Sequence, residues 1–378
     1  TMQAGKSDLY RLFSEQLFYI TSDDGHIGVV LPSGFYTDKW ATAVRSLYLD
    51  KTALKTFYAF ENRWPTVFSA VDGRYKFVLL TAIKGQSTDK FSAAFMCHDP
   101  EKLAIIEANS FPMNRQTVER FSPNTLSFFE FETQEQFGVA SKIVVAGPLI
   151  GEPVESWRPE LFLEFSYNAH KNRLPFRRDG KGFPLLEGKM IWQYDLFYSS
   201  WNSAEAKYIV NPSDRYEPIT SEFTINEDTA KKSFKSRRNF YIGDKFDYNS
   251  YRIGFRDVAA STNERAAIAT IVPPNVFCVE TVKTIRPLPI KQLLYTLGVW
   301  NSFVWDFFAR LKIDKHFNFH DVVTFPIPRI SPNDYTMNAI AGRTLRLVSV
   351  SPVYSDLWSD GILTINLTEA LRVEKDGR

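Results

Sequence analysis

The chain has few of the features that mark a secreted or membrane-spanning protein. Its 378 residues include only two cysteines, Cys97 and Cys278, which are far apart and give neither a metal-ligand spacing nor a disulfide framework. No apolar run approaches the roughly 18 residues that a membrane helix needs. The first seven residues are polar and lack the apolar stretch of a signal peptide. We therefore expect a protein of the reducing cytoplasm with no membrane partner.

Excess charge of one sign is also missing. The chain has 45 Lys and Arg against 43 Asp and Glu, a net charge of +2. This balance argues against a compact, uniformly basic nucleic-acid binder. A large protein can still bind nucleic acid at this net charge if its basic residues are clustered.

Independent catalytic signatures are absent as well. The chain has no P-loop, no G-x-G-x-x-G, no G-x-S-x-G and no H-E-x-x-H motif. The nearest pair of histidines is His316 and His320, at helical spacing. The aromatic residues between them, Phe317 and Phe319, favour a loop over a pair of zinc ligands, so we predict no metal site.

Material for hydrophobic cores is abundant. Apolar residues make up 44% of the chain and aromatic residues 15%, which indicates a globular protein. The length favours two or three domains.

The first hundred residues alternate between helical and strand patterns. Leu9, Leu12, Phe13, Leu17 and Ile20 share one face of a helix predicted over 8–21. Strands are predicted at 27–31, 54–61, 74–83 and 91–97, with a second helix over 38–49. This order predicts part of an α/β sheet that ends in a hairpin.

The rest of the chain is organised differently. Residues 98–150 show mixed patterns, and residues 157–290 alternate short apolar runs with turn signals, which predicts a strand-rich domain. A helix is predicted over 291–312, where Asn301 falls on the apolar stripe and is expected to be a buried, hydrogen-bonded amide. A further helical stretch is predicted near 333–350.

The chain contains an ordered series of short sequence segments, which we call phrases. Their order and spacing carry more information than any single phrase. In the first half they read GKSDLYRLF at 5–13, GHIGVVLPSG at 25–34, ATAVRSL at 41–47, FENR at 60–63 and VFSAVDGRYKFVLL at 67–80. In the second half they read PLLEGKMIWQYD at 184–195, YRIGFRDVAASTNER at 251–265, IVPP at 271–274, NSFVWDFFAR at 301–310, FNF at 317–319 and FPIP at 325–328.

This succession resembles the gamma-type adenine-N6 DNA methyltransferases of type IIG restriction–modification enzymes and their relatives in BREX and DISARM phage-defence systems. The resemblance covers most of residues 5–350. It implies an α/β fold, in which the C-terminal half of a Rossmann-like class I methyltransferase sheet precedes a mixed α+β target recognition domain and C-terminal helices. The implied boundaries are 1–105 for the catalytic part, 106–155 for a connecting segment, 156–330 for the recognition domain and 331–378 for a helical extension.

One departure from the family is important. The N-P-P-Y or D-P-P-Y motif and the glycine-rich cofactor loop before it do not occur in this chain. The family uses that motif to bind the adenine amino group. We therefore expect the catalytic residues upstream of Thr1, in a longer enzyme, and no methylation by this chain alone.

The resemblance also points to a base pocket. Enzymes that modify a base in duplex DNA flip it out and stack it on aromatic side chains. Tyr75 and Phe77 lie where the family's second stacking aromatic is expected, and we treat them as alternatives because residues two apart share a strand face. Phe77 can equally be a core residue. Arg74 and Lys76 alternate with them and could face DNA or guard a solvated strand edge.

Basic clusters in the second half suit phosphate contacts, although each could be a solvated loop. The candidate DNA-binding residues there are Arg173, Arg177, Arg178, Lys181, Lys189, Lys231, Lys232, Lys235, Arg237, Arg238, Arg252, Arg256, Thr262, Asn263 and Arg265. The last five belong to a phrase shared by enzymes with different targets. We therefore favour backbone positioning or scaffold roles for them, and expect base-specific contacts from 166–183 and 205–245.

The implied cofactor is S-adenosylmethionine, bound mainly by the missing N-terminal part, with Mg²⁺ only if a nuclease is fused. The implied partners are double-stranded DNA and, in a phage-defence system, other subunits. Two alternatives stay open: a DNA-binding specificity module that acts in trans, and a type IIG enzyme that also cleaves DNA.

Overall fold

The computed structural model describes residues 8–63, 67–73, 75–152, 157, 159–166, 176–178, 180–212, 218–235, 241–242, 245–259, 263–312 and 316–365. The chain divides into two compact units, Thr1–Val145 and Ala146–Arg378. Residues 106–145, assigned above to a connecting segment, lie in the first unit. The boundaries at 105, 155 and 330 stay predictions.

The first unit alternates helices and strands, as the patterns predict. Its strands are β1 (His26–Pro32), β2 (Thr52–Glu61), β3 (Lys76–Lys84), β4 (Phe91–Cys97) and β5 (Phe111–Met113). Its α-helices are α1 (Leu9–Ile20), α2 (Gly34–Thr37), α3 (Thr42–Lys51), α4 (Leu103–Asn109), α5 (Arg115–Phe121) and α6 (Gln134–Val144), with 3-10 turns at Lys39–Ala41 and Pro100–Lys102.

These strands form one mixed sheet in the order β1-β3-β2-β4-β5. Strand β3 is antiparallel to both β1 and β2, whereas β2 and β4 are parallel. Strands β1, β2 and β4 therefore share one direction, with the reversed strand β3 inserted between the first two. The chain crosses from β1 to β2 through α2 and α3, so the α/β prediction is confirmed at this level, while the class I methyltransferase assignment stays a prediction.

A compact aromatic core fills the first unit. Phe57 of β2 stacks on Phe128, with ring centroids 4.4 Å apart and planes at 7°. Tyr36 and Phe95 pack against the same ring. Offset and edge-on aromatic contacts add to the stabilisation from buried area. This packing ties residues that follow β5 to the sheet.

Helix α1 forms where predicted but packs through an unexpected face. Its buried residues are Arg11, Ser14 and Phe18. The predicted apolar stripe lies outside, with Phe13 61% and Ile20 69% exposed among the described residues. The periodicity therefore identified the helix but not the face that contacts the sheet.

The second unit is rich in short strands. They are β6 (Leu161–Phe162), β7 (Phe183–Leu186), β8 (Ser199–Asn202), β9 (Lys207–Val210), β10 (Thr224–Ile225), β11 (Tyr241–Ile242), β12 (Lys245–Phe246), β13 (Arg252–Arg256), β14 (Ala269–Val272), β15 (Phe277–Cys278) and β16 (Val282–Ile285). The α-helices are α7 (Glu227–Lys235), α8 (Ile290–Trp300), α9 (Phe303–Lys312), α10 (Phe319–Val322), α11 (Tyr335–Val348) and α12 (Ser355–Thr364), with 3-10 turns at Gly188–Met190, Asp247–Asn249 and Pro352–Tyr354.

Two sheets organise this unit. One is antiparallel, in the order β14-β13-β16-β6, and the other joins β10, β7 and β15. The second sheet covers a core that we call the Phe277 cluster. Its buried members are Phe165, Leu185, Ile225, Ala230, Tyr248, Phe277 and Val279.

The single helix predicted over 291–312 is wrong, because two helices, α8 and α9, occupy that range. The break falls at Asn301, whose side chain bonds to the backbone of Ala269. The hydroxyl of Ser302 then accepts the N–H of Trp305 at 3.2 Å and starts the next helix. Capping by a serine hydroxyl satisfies an N–H that would otherwise lack a partner.

Within the described residues, no helix has the length and apolar character needed to cross a membrane.

Candidate nucleic-acid interface

The first unit places its candidate residues at one edge of the sheet. The register aligns Pro32 with Phe77, Glu61 with Lys76, and Phe60 with Cys97. The carboxyl ends of β1, β2 and β4 therefore meet there, beside the start of β3. In open α/β sheets, ligands bind outside the carboxyl ends of the strands.

Lys76 lies inside a charged network at this edge. Its ammonium group is 2.6 Å from a carboxylate oxygen of Glu130 and 3.6 Å from one of Glu61. Glu130 also accepts a hydrogen bond from the hydroxyl of Tyr36 at 2.7 Å. Burial, followed by the charge of Glu130, raises the pKa of Tyr36 well above its usual range. A phosphate would have to compete with two carboxylates for Lys76, so this lysine is better suited to holding the edge together.

The two stacking candidates have different environments. Phe77 is buried and stacks on Phe60, with ring centroids 5.3 Å apart, while Phe68 meets it edge-on at 5.0 Å. Tyr75 is 64% exposed. Of the two alternatives, Tyr75 is thus the one with a ring face open to a ligand. Arg74 lies outside the described residues.

In the second unit, both predicted basic segments flank the Phe277 cluster. Arg177 forms an antiparallel bridge with Thr224 of β10, and the hydroxyl of Thr224 donates to the carbonyl of Lys181 at 2.8 Å. Helix α7 begins at Glu227, two residues after β10, and buries Ala230 in the cluster. Two segments some fifty residues apart in sequence therefore belong to one substructure.

Several of the described basic side chains there have acidic or aromatic neighbours. Arg178 bonds to Glu222 at 2.8 Å, and Lys231 to Glu227 at 2.8 Å. The ammonium of Lys189 lies 4.0 Å from the ring centroid of Tyr208. The further candidates Arg177, Lys181 and Lys232 are exposed. Surface ion pairs are weak, typically about 0–1 kcal/mol, so a phosphate can displace these carboxylates.

Three candidates cannot be placed on this surface. Arg173, Arg237 and Arg238 lie outside the described residues, and only the backbone of Lys235 is described.

The assignment of Arg252 to DNA is corrected by the structure. Its side chain is fully buried and pairs with Glu164 at 2.5 Å. The same guanidinium group donates to the carbonyls of Val276 at 2.5 Å and Pro273 at 3.4 Å. Since no DNA can reach this group, Arg252 is a scaffold residue.

Arg256 and Arg265 are also engaged with the protein. Arg256 donates to the carbonyls of Gly188 and Ile191, at 2.8 and 2.5 Å. Arg265 is buried and donates to the carbonyl of Asn301 at 2.7 Å. These contacts favour the scaffold role over DNA contact for both arginines. Asn263 of the same phrase is exposed, and Thr262 lies outside the described residues.

The phrase at 301–310 bonds to the short segment that joins the phrases at 251–265 and 271–274. Asn301 bonds to both the N–H and the C=O of Ala269, at 3.1 and 2.9 Å. Asp306 accepts the N–H groups of Ala266 and Ala267, at 2.8 and 2.7 Å. The expectation that Asn301 is a buried, satisfied amide is confirmed.

No group of three or more potential metal ligands occurs in the described part of the chain. His316, half-exposed, bonds instead to Asp257 through Nδ1 at 2.8 Å. The sequence analysis did not identify Glu130 or Asn62 as site residues. The partners of Glu130, Tyr36 and Lys76, are distant in sequence, and those of Asn62 lie in a loop without a regular pattern.

Comparisons with known proteins give similarity only to solved structures. No protein-family model and no curated protein matches the chain. The type IIG restriction endonuclease BpuSI is 12% identical, with a TM-score of 0.35, over 97% of this chain and 49% of its own. The type IIL restriction–modification enzyme MmeI in complex with DNA is 9% identical, with a TM-score of 0.41, over 94% and 48%.

A third similar structure is a nuclease-deletion mutant of the type ISP restriction–modification enzyme LlaGI with a DNA substrate mimic. It is 13% identical, with a TM-score of 0.38, over 94% of this chain and 37% of its own. The chain thus spans half or less of the length of these three proteins.

Proposed function

We propose that this chain is part of a site-specific DNA methyltransferase that transfers a methyl group from S-adenosylmethionine to adenine N6 in duplex DNA. In this proposal the first unit supplies part of the pocket for the flipped base. The second unit recognises the DNA.

The observation that carries the proposal is the position of Tyr75. This tyrosine is 64% exposed at the carboxyl edge of a sheet that contains parallel strands. It also lies in the phrase where the resemblance places a stacking aromatic. An adenine flipped out of a duplex loses its stacking neighbours, and an exposed aromatic ring replaces them.

The second unit supports the DNA part of the proposal. Its two basic segments flank one core cluster and leave Lys232, Arg177 and Lys181 exposed. Neutralising phosphates releases counterions, which supplies sequence-independent affinity. Buried Arg252 bonds to the carbonyl of Val276, the residue before Phe277, and so supports the cluster that these segments flank.

The glycine-rich cofactor loop of the family does not occur in this sequence. When bound, S-adenosylmethionine would supply the methyl group. We therefore assign to this chain the base and the DNA, and no step that involves the cofactor.

The direct test is methyl transfer by the full-length protein with radiolabelled S-adenosylmethionine and duplex DNA. We expect label in N6-methyladenine. Because base stacking contributes about 1–3 kcal/mol, Tyr75→Ala should lower kcat/KM roughly fivefold or more, whereas Tyr75→Phe should retain most of it. Tyr335→Ala, at another partly exposed tyrosine, is the matched control. Label in cytosine, or equal activity of Tyr75→Ala and the control, would contradict the proposal.

One observation favours a second candidate, a specificity module that works in trans. The polar-Pro-Pro-aromatic motif does not occur in these 378 residues. If a separate polypeptide carries that motif, mixing it with this chain should restore methylation. If methylation requires both parts in one polypeptide, this candidate fails.

A further inference from the structure

An apolar loop lies beside the base-pocket candidate. Within residues 67–73, the side chains of Val67, Phe68 and Val71 are 40%, 41% and 44% exposed. Tyr75 is the residue immediately before β3. Partly exposed apolar side chains that gather at the carboxyl edge of an α/β sheet lie where such sheets bind ligands.

Asn62, the residue after β2, organises this loop. Its side chain is 1% exposed. Its amide nitrogen donates to the carbonyls of Phe68 and Val71, both at 2.9 Å. Its amide oxygen accepts the N–H of Phe68 at 2.9 Å. All the side-chain bonds of this one residue therefore converge on the loop.

The backbone of Asn62 also holds the backbone of Tyr75. The N–H of Asn62 donates to the carbonyl of Tyr75 at 3.0 Å. The N–H of Ser33, after β1, donates to the carbonyl of the next residue, Lys76, at 2.9 Å. The backbone that carries the tyrosine ring is thus held on the ends of two parallel strands.

The loop is also fixed against the core. Phe68, which exchanges hydrogen bonds with Asn62, meets buried Phe77 edge-on at 5.0 Å. Phe77 stacks on Phe60, two residues before Asn62. The loop is therefore held both by the hydrogen bonds of Asn62 and by the aromatic contacts of Phe68, Phe77 and Phe60.

Only an amide fits this position. Two carbonyl acceptors and one N–H donor face the side chain, and an amide supplies two donors and an acceptor. An aspartate has nearly the same shape, but as a carboxylate it would accept only and would face the oxygens of Phe68 and Val71. Asn62→Asp therefore removes two bonds and adds repulsion with little change in volume.

We propose that Asn62 is a positioning residue for DNA-base binding: it holds the loop at 67–73 and the backbone of Tyr75 so that the tyrosine ring is presented to an unstacked purine. This role rests on the proposed function. Asn62 contacts no base itself; it acts by fixing the aromatic surface in advance, which lowers the cost of ordering on binding.

The first measurement tests the positioning without DNA. Hydrogen exchange of the 378-residue chain reports the amide of Phe68, which is bonded to Asn62. We expect Asn62→Asp and Asn62→Ala to speed exchange there at least tenfold while amides of β2 and β3 stay protected. Asn109→Ala, which removes an exposed asparagine bonded to Ile105 in the same unit, should change neither. Unchanged protection at Phe68 in both Asn62 variants would overturn the positioning role.

The second measurement tests the base. The probes are two duplexes that differ by one adenine, paired in the first and mismatched in the second, because a mismatched base is flipped at lower cost. The unaltered chain should bind the mismatched duplex more tightly, by roughly fivefold to a hundredfold if one stacked base is gained. Tyr75→Ala and Asn62→Asp should remove this preference, because each lowers affinity for the mismatched duplex more than affinity for the paired one.

These measurements distinguish failure of the positioning role of Asn62 from failure of the proposed function. If the unaltered chain prefers the mismatch and the Asn62 variants keep that preference, Asn62 does not position the base surface. If the unaltered chain binds neither duplex, the proposed function fails and the base role with it, while hydrogen exchange still decides whether Asn62 holds the loop. Should Asn62→Asp fail to fold, Asn62→Ala and the surface variant Tyr75→Ala carry the test.

Discussion

Replacing Arg252 by Met should destabilise the second unit without directly affecting DNA contacts. The guanidinium group is fully buried, pairs with Glu164 and bonds to two backbone carbonyls. Removing one partner of a buried ion pair costs about 3–5 kcal/mol, because the other charge stays buried without compensation. For a unit of this size, 1 kcal/mol lowers Tm by about 2–4 °C, so we expect a loss of roughly 10 °C.

A second substitution should recover much of this loss. Glu164 also accepts the N–H of Cys278 at 2.7 Å, which an uncharged glutamine can still do. Arg252→Met/Glu164→Gln leaves no buried charge at this site, and replacing a buried ion pair with uncharged groups is often nearly neutral. The double variant should therefore melt well above Arg252→Met.

The assay combines thermal unfolding with DNA binding measured well below Tm. We expect Arg252→Met to bind duplex DNA within about twofold of the unaltered chain, with the same salt dependence, since a buried arginine neutralises no phosphate. A variant that keeps its Tm but loses DNA affinity would refute the scaffold role and return Arg252 to the interface.

Three further predictions follow from burial. Asn301→Ala leaves the N–H of Ala269 without the amide oxygen that it bonds, whereas the C=O of Ala269 keeps the N–H of Tyr194 at 3.0 Å. The free energy of unfolding should therefore fall by about 1–3 kcal/mol in denaturant titrations, and a change below about 0.5 kcal/mol would argue against this role. Burial lowers the pKa of Lys312 to about 7, from about 10.4 in the unfolded chain. Between these two pH values the unfolded state binds more protons than the folded state. The free energy of unfolding should therefore rise with pH there, by up to about 1.4 kcal/mol per pH unit. Lys312→Met should remove that rise, and an unchanged pH profile would contradict the lowered pKa. In α1, Phe18→Ala should cost about 3 kcal/mol whereas exposed Phe13→Ser should cost under about 1 kcal/mol, and the reverse order in unfolding titrations would show that the outer face is packed.

The sequence predicted elements better than the faces through which they pack. The period of α1 is visible in its residues, but the contacts that select its buried side come from elsewhere in the chain. Arg11 donates to the carbonyl of Trp40 at 3.0 Å, and the hydroxyl of Tyr48 donates to the carbonyl of Ser14 at 3.0 Å. Tertiary hydrogen bonds of this kind leave no trace in an apolar pattern.

The break between α8 and α9 was equally hidden. Apolar residues continue through Asn301 with helical spacing, so the pattern predicts one helix. The amide of Asn301 instead bonds to both backbone groups of Ala269 in β14. A single polar residue inside an apolar stripe was correctly predicted to be satisfied, but its partner could not be known.

Candidate site residues were predictable by type more than by role. The phrase that contains Tyr75 and Phe77 suggested both residues for base stacking, and only their difference in burial separates them. For Arg252 the sequence could not predict the partner, because an arginine in a family phrase can bind either a DNA phosphate or a buried glutamate. Asn62 shares its phrase with Arg63 and gives no sign of the loop that it holds.

We propose that the second unit binds duplex DNA through the basic segments beside the Phe277 cluster. The measurement is duplex affinity of the 378-residue chain against salt concentration, for three proteins: the unaltered chain and two variants. The first variant replaces Arg177, Arg178, Lys181, Lys231 and Lys232 with Ala. The charge-matched control replaces five exposed lysines of the first unit with Ala: Lys51, Lys55, Lys90, Lys102 and Lys142.

Each lost phosphate contact lowers the slope of log affinity against log salt by about 0.9. We predict a slope reduced by roughly two to four units in the first variant and an unchanged slope in the control. Equal slopes in all three proteins would contradict DNA binding through the basic segments of the second unit.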